Sequence, residues 1–391
     1  MLRAMLRRVL PTALAATAVV TATGVLTATA VAEPEGFGPP GSPAVRHVRL
    51  LGERAIPHGL EFGGTTVGGL SGLDRDPRTG EYYLISDDRS DRQPARVYTA
   101  RIDVDARGLR DVRITGTRPL RRPDGTTFPP KASDTPDPEA IRVDPADGTL
   151  YWTSEGDRIV PTGGAAPTLI DPFVRQARRD GTHVRELRLP DNLRMSAEER
   201  GPRRNAALEG LALTADGRQL VAAMEGPLHQ DGQEPSPRQG AMTRLTFLDK
   251  RTGRAVRQLA YPVEPVFAEP RPAGAFANNG VVEVLAVDRH RYLVMERSFV
   301  TGVGNRVRVY EVDARGATDV LGRQSLADGR FRPVRKRLVV DLADLPLSTV
   351  DNVEGMAWGP TLPTGERVLV LVSDDNFAAT QVSQVVALAV R

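Results

Sequence analysis

Residues 208–226 read LEGLALTADGRQLVAAMEG. Two apolar runs flank an Ala-Asp-Gly segment with the chemistry of a tight turn, so the stretch reads as a strand, a turn and a second strand. Glu209 opens the first strand and Glu225 follows the second. Four more segments align with it: LSGLDRDPRTGEYYLISDD from Leu70, PEAIRVDPADGTLYWTSEG from Pro138, VEVLAVDRHRYLVMERS from Val282 and VEGMAWGPTLPTGERVLVLVSDD from Val353. Aligned on Ser71, Glu139, Glu209, Glu283 and Glu354, they are separated by 68, 70, 74 and 71 residues. Unrelated loops would not keep that register, so the chain is built from a repeat.

Each unit continues into two further strand candidates marked by alternating apolar residues. These are RVYTARIDV and LRDVRITGT after the first hairpin, FVRQARRDG and THVRELRLP after the second, and MTRLTFLDK and RAVRQLAYP after the third. After the fourth come NRVRVYEVDA and ATDVLGRQSL. Four antiparallel strands per repeat predict an all-β β-propeller of about five four-stranded blades, with six also open. The fifth unit runs out after QVSQVVALAV. Its missing strand is expected from AVRHVRLLGERAIP near the N-terminus, which would close the ring and remove a sheet edge.

Residues 1–32 read as a signal peptide: Arg3, Arg7 and Arg8, an Ala/Val/Leu/Thr run, then Ala30-Val31-Ala32. An uncleaved anchor is the rival reading, but the run is only weakly apolar. Residues 33–43, rich in Pro and Gly, read as a tether, and 44–391 as the folded domain. Export follows as an expectation, with no membrane association after cleavage. Cleavage takes the formal net charge from +3 to zero, which offers no basic footprint for nucleic acid. The chain has no Cys, so packing and strand pairing must hold it together. A monomer is expected.

In this arrangement the short hairpin turns lie on one face and the long connections on the other, where binding usually sits. The acids fall on the long-loop face. Glu139, Glu209, Glu283 and Glu354 start innermost strands, and Glu155, Glu225, Glu296 and Asp374 end their partners. Crowded carboxylates repel, and a hard cation such as Ca²⁺ would resolve the conflict. A second reading stays open, in which each Glu accepts backbone N–H bonds and joins adjacent blades. G-x-S-x-G, H-E-x-x-H and G-x-x-x-x-G-K are all absent.

The segments GGLSGLDRDP, YYLISDD, DPEAIRVDP, NAALEGLAL and DNVEGMAW together resemble a family of secreted bacterial proteins, the phytase-like domain described as esterase-like activity of phytase. The resemblance implies a β-propeller and hydrolysis of phosphate or carboxylic esters; it carries over no catalytic residues. The chain departs from its own repeat at Ser71, where others have Glu, and at Val284, where most have Gly. The expected activity is Ca²⁺-dependent ester hydrolysis on a small anionic or ester substrate. The alternatives are a non-catalytic extracellular binding propeller and a lactonase- or carboxylesterase-like one. Glu139, Glu209 and Glu354 are the catalytic candidates. Arg89, Arg158, Arg297 and His229 are the substrate-binding candidates. Asp87, Asp88, Glu155, Glu225, Glu283, Glu296, Asn352, Asp374 and Asp375 are the candidate metal ligands.

Overall fold

A computed structural model describes residues 45–391. The signal-peptide and tether assignments lie outside the described residues. Five four-stranded antiparallel sheets follow one another along the chain, each running from an innermost strand outward. Blade one is Leu70–Arg75, Tyr82–Ser86, Arg96–Asp105 and Gly108–Pro119. Blade two is Pro138–Val143, Leu150–Ser154, Phe173–Ala177 and His183–Leu187. Blade three is Leu208–Leu213, Gln219–Met224, Ala241–Asp249 and Arg254–Val263. Blade four is Ala277–Ala286, Arg291–Val300, Gly304–Asp313 and Arg335–Asp341. Blade five is Asn352–Thr361, Arg367–Asp374 and Gln384–Val390, completed by Val48–Ala55. The chain is therefore a five-bladed β-propeller. Among the described residues no helix is long and apolar enough to cross a membrane.

The ring closes as the sequence predicts. Val48 pairs with Val390 and Ala55 with Gln384, and Arg391 donates its backbone N–H to His47 at 3.0 Å. Five apolar clusters fill the five contacts between neighbouring blades. Between blades one and two, the Trp152 ring meets Phe173 edge-on at 4.9 Å and Phe128 at 6.2 Å. Both faces of every blade are thus covered, and the inner strands are buried along most of their length. The turn aspartates act as turn formers: Asp76, Asp144 and Asp216 each accept the backbone N–H two residues on.

Two local expectations change. ATDVLGRQSL is not the outer strand of blade four; Arg335–Asp341 is. The long connection 314–334 instead crosses to the outer edge of blade three. There Val320 and Val334 donate backbone N–H groups to Gln258 and Ala260, and Val320 and Leu326 pack on Ala260. It covers an otherwise open sheet edge. A further small hairpin, Asp157–Ile159 with Thr168–Ile170, also forms in the connection inside blade two.

The axis is filled rather than open. Gly72, Gly210 and Gly355 face neighbouring inner strands so closely that an added Cβ would lie 2.5 Å from Glu139 O, 2.9 Å from Glu283 Cα and 3.1 Å from Gly72 Cα respectively. Arg142 uses this space. Its guanidinium donates to the carbonyls of Leu73 in blade one, Val284 in blade four and Met356 in blade five, and pairs with Glu283 at 2.7 Å. Glu283 in turn accepts from Leu211 N in blade three at 3.0 Å. One fully buried ion pair thereby joins all five blades. Burial pushes the Glu283 carboxyl up to about 7, against the pull of Arg142. Removing one partner of such a pair typically costs roughly 3–5 kcal/mol. Arg142→Met is expected to lose that much in urea unfolding, and adding Glu283→Leu to restore most of it. A loss below about 1 kcal/mol for Arg142→Met would show that the axis contact is dispensable.

Candidate active site

Inner-strand pairing is interrupted by a bulge near the entrance of every blade, and the bulge aims a side chain toward the long-loop face. The register shifts fall at Leu70/Gly72, Leu208/Gly210 and Val353/Gly355, leaving Ser71, Glu209 and Glu354 as the extra residues. Blade two has its shift between Pro138 and Ile141, around Glu139. In blade four it falls between Val281 and Glu283, so Val282 is the extra residue. The aligned repeat is therefore one residue out of step there. A one-residue slip turns a side chain to the opposite face, and Glu283 points into the axis instead of the mouth.

The same slip moves the second strand. Ser86, Ser154 and Met224 pair with Leu70, Pro138 and Leu208, and an acid follows each: Asp87, Glu155 and Glu225. In blade five Ser373 pairs with Val353, and Asp374 follows. In blade four the corresponding pair is Val281 with Glu296, so Arg297 takes the acid's place. Four blades thus offer a carboxylate at this level and the fourth offers a guanidinium.

These side chains line a basin of about 620 Å³ over the blocked axis. Nine carboxylates face it: Asp87, Asp137, Glu139, Glu155, Glu209, Glu225, Asp351, Glu354 and Asp374. They meet two guanidiniums, Arg89 and Arg297, and the amides of Asn205, Asn352 and Asn376. Arg89 is ion-paired to Asp137 and donates to Asn205 Oδ1 at 3.1 Å. Arg297 Nη2 lies 3.1 Å from Glu354 and 3.6 Å from Glu225. Asn352 donates to Asp374 at 3.2 Å, and Glu155 accepts from Ala207 N at 2.8 Å. Glu139 and Glu209 are each only 7% exposed, and their carboxylates have no hydrogen bond or ion pair among the described residues.

Desolvation dominates the electrostatics. Burial, then neighbouring carboxylates, pushes Asp87, Glu139, Glu155, Glu209 and Asp374 well above the usual carboxylate range. Burial lifts Glu225 to about 7 against Arg297, and Asp137 to about 6 against Arg89. Two sets, Asp137–Glu139–Glu155 and Glu155–Glu209–Glu225, have oxygens within 4.8 Å of one another, a spacing able to hold a metal ion; Glu155 belongs to both. All-oxygen, hard ligands suit Ca²⁺ or Mg²⁺ better than softer metals.

The loops are tightly specified. All five non-glycine residues with positive φ among the described residues (Ser90, Lys131, Asn205, Asn376 and Phe377) lie in long-face loops, and Asn205 and Asn376 line the basin. Gly69, at φ +61°, could not carry a Cβ without meeting Asp87 Oδ1 at 2.1 Å.

Of the sequence-derived candidates, the basin gathers Asp87, Arg89, Glu139, Glu155, Glu209, Glu225, Arg297, Asn352, Glu354 and Asp374. The others lie outside its lining. Asp88 pairs with Arg96 at 2.7 Å and caps the backbone of residues 91–93. Asp375 accepts from Gly69 N and Phe377 N. Glu296 accepts from Tyr261 Oη at 2.7 Å and Lys336 Nζ at 2.6 Å, and Glu283 is held at the axis. Arg158 donates to Ser196 O, and His229 meets Glu199 at 3.0 Å. Sequence reading missed Asp137 and Asp351. Asp137 sits two residues before Glu139, where Asp-Pro reads as a turn, so spacing alone was its signal.

An all-β propeller with a buried acidic basin at one end of a blocked axis is the class that fold and site define. The chain belongs to the phytase-like family, whose model, described as esterase-like activity of phytase, matches residues 65–377. That is a family of hydrolase-type propellers. Among solved structures the chain is similar to a gluconolactonase from Xanthomonas campestris, at 13% identity over 82% of this chain and 71% of that one, with a TM-score of 0.34. It is also similar to a protein of unknown function from Dyadobacter fermentans, at 12% identity over 88% and 99%, with a TM-score of 0.41. No curated protein matches significantly.

The raised carboxyl pKa values set a direction for stability. The folded chain holds more protons than the unfolded chain between about pH 4, the unfolded carboxylate value, and the folded values near 6 to 7. Stability of the metal-free protein is therefore expected to fall as pH rises through that window. The check is thermal unfolding in EDTA from pH 4.5 to 7.5, with Ca²⁺ expected to reverse the fall at pH 7.5. A flat or rising profile in EDTA would contradict the electrostatic picture.

Proposed function

We propose that this chain is a Ca²⁺-dependent ester hydrolase acting on phosphate or other esters at the acidic basin. One observation carries the reading: Glu139 and Glu209 are buried without partners inside carboxylate sets whose oxygens lie within 4.8 Å. Isolated buried carboxylates are costly, and a bound cation offsets that cost. Asp137, Glu139, Glu155, Glu209 and Glu225 would hold it. When bound, a divalent cation polarises the ester oxygen and makes a nearby water more acidic.

The remaining chemistry belongs to this chain's own side chains. Arg297 and Arg89 are the cations of the basin and orient the anionic end of the substrate by charge-assisted hydrogen bonds. Glu354 lies outside both carboxylate sets and is held by Arg297 at 3.1 Å. Burial raises its pKa and Arg297 restrains the rise, the direction that strengthens a carboxylate as a general base. Glu354 takes the proton of the attacking water, whose oxygen bonds to the ester centre as the bond to the leaving alkoxide breaks. The filled axis makes the mouth the route for substrate and product. The N-terminal basic, apolar and A-x-A pattern supports an exported protein.

Calorimetry and turnover of a phosphate monoester and a carboxylic ester test this reading. EDTA is expected to abolish turnover, Ca²⁺ to restore it, and Glu209→Gln to weaken Ca²⁺ binding at least about tenfold. Glu354→Gln is expected to keep Ca²⁺ affinity and lose about a hundredfold or more in kcat. Turnover and melting temperature both indifferent to EDTA would sink the metal-dependent reading.

A further inference from the structure

The basin wall has one apolar patch. Every side chain lining it is polar or charged except Phe276 and Phe299. Their rings stand 6.1 Å apart at 33°. Phe276 is 66% exposed, whereas the other exposed large apolar residues reach at most 45%. A phenyl ring left in water beside a highly charged basin gains nothing for the fold.

The patch is built by a local departure of blade four. Its inner strand begins at Ala277, five residues before the bulge residue Val282, whereas Ser71, Glu139 and Glu209 follow the first residue of their strands. The hairpin of blade four therefore overhangs by four residues more, or roughly 13 Å. Phe276 and Phe299 stand at the end of that overhang. The end is braced by backbone hydrogen bonds: Thr301 N donates to Phe276 O at 3.1 Å, and Arg271 N donates to Thr301 O at 2.8 Å. Gly280 lets the overhang pass Glu225 of blade three, since a Cβ there would lie 2.3 Å from Glu225 Cγ. The rings are thus presented on a rigid element.

The same strand carries the blade's guanidinium. Arg297 and Phe299 are two residues apart, so they share a face, with Cα atoms about 7 Å apart. Of the Arg297 nitrogens, Nη2 is the one that contacts a carboxylate. An anionic group at Arg297 and a flat apolar ring on the phenylalanines would be bound together by one hairpin. We propose that Phe276 and Phe299 form a ring-binding subsite, and that the preferred substrates are aryl esters whose anionic or ester group sits directly beside the ring. The proposal rests on the ester-hydrolase reading and narrows its substrate class.

Calorimetry of the full chain with Ca²⁺ tests it, with phenyl phosphate compared against methyl phosphate. The wild-type protein is expected to bind phenyl phosphate about tenfold more tightly, from the usual worth of an aromatic contact. Phe276→Ala is expected to reduce the ratio to about twofold while methyl phosphate affinity stays unchanged, and Phe276→Tyr to keep the ratio. The exposed position makes misfolding of these variants a minor concern, and a melting curve checks it. An unchanged ratio in Phe276→Ala overturns the ring subsite and leaves the hydrolase reading standing. If the wild-type protein binds neither phosphate ester, the phosphate branch of that reading fails by itself. The subsite is then judged on KM for phenyl acetate against methyl acetate: a ratio collapsing in Phe276→Ala upholds it, and an unchanged ratio overturns it.

Discussion

Five twisted sheets around an axis leave a hole that something must fill, and here one ion pair fills it. Arg142 and Glu283 reach across the axis where Gly72, Gly210 and Gly355 let the inner strands approach, and between them they contact all five inner strands. The arrangement is demanding. Backbone carbonyls and an N–H of neighbouring blades take up most of the pair's remaining hydrogen-bonding capacity, and Arg142 Nε alone of the guanidinium nitrogens has no partner among the described residues. The glycines are required by close backbone approach, because a Cβ at Gly210 or Gly72 would strike the next inner strand. With the axis blocked, the space above it becomes a blind basin instead of a channel.

The basin's chemistry follows from broken symmetry. Bulges in the inner strands aim Glu139, Glu209 and Glu354 at the mouth, and the second strands add Asp87, Glu155, Glu225 and Asp374. Had blade four obeyed the same register, it would have added further acids. Its bulge at Val282 sends Glu283 to the axis and Glu296 to a pocket with Tyr261 and Lys336, and brings Arg297 to the rim. A single register step therefore supplies the axis pin, removes two carboxylates from a crowded site and introduces the cation facing them. The overhang of the same blade adds the basin's apolar patch.

Much of this was legible in the sequence. Strand–turn–strand segments at a spacing near seventy residues specified the propeller, and the short fifth unit pointed to the N-terminal strand that completes it. The same repeats pointed to about five blades with six open, and the structure has five. Less legible was the outer strand of blade four, because ATDVLGRQSL carries enough apolar residues for a strand but spends them covering the edge of blade three. Asp137 was hidden by its proline neighbour. Asp88, Asp375 and Glu296 have the same residue types as the basin acids, yet backbone N–H groups, Arg96 and Lys336 engage them elsewhere.

The sequence by itself determined the fold class, the ring closure and the face on which the acids gather. Periodic apolar patterning and turn chemistry are local properties, and a repeat multiplies their signal. The tertiary structure decided which acids meet and what faces them. A side chain's face depends on where pairing slips by one residue, and a bulge leaves no reliable mark in one chain's sequence. Glu283 and Glu354 align at the same position of the repeat, yet one pins the axis and the other lines the basin, because the bulge of blade four falls on Val282.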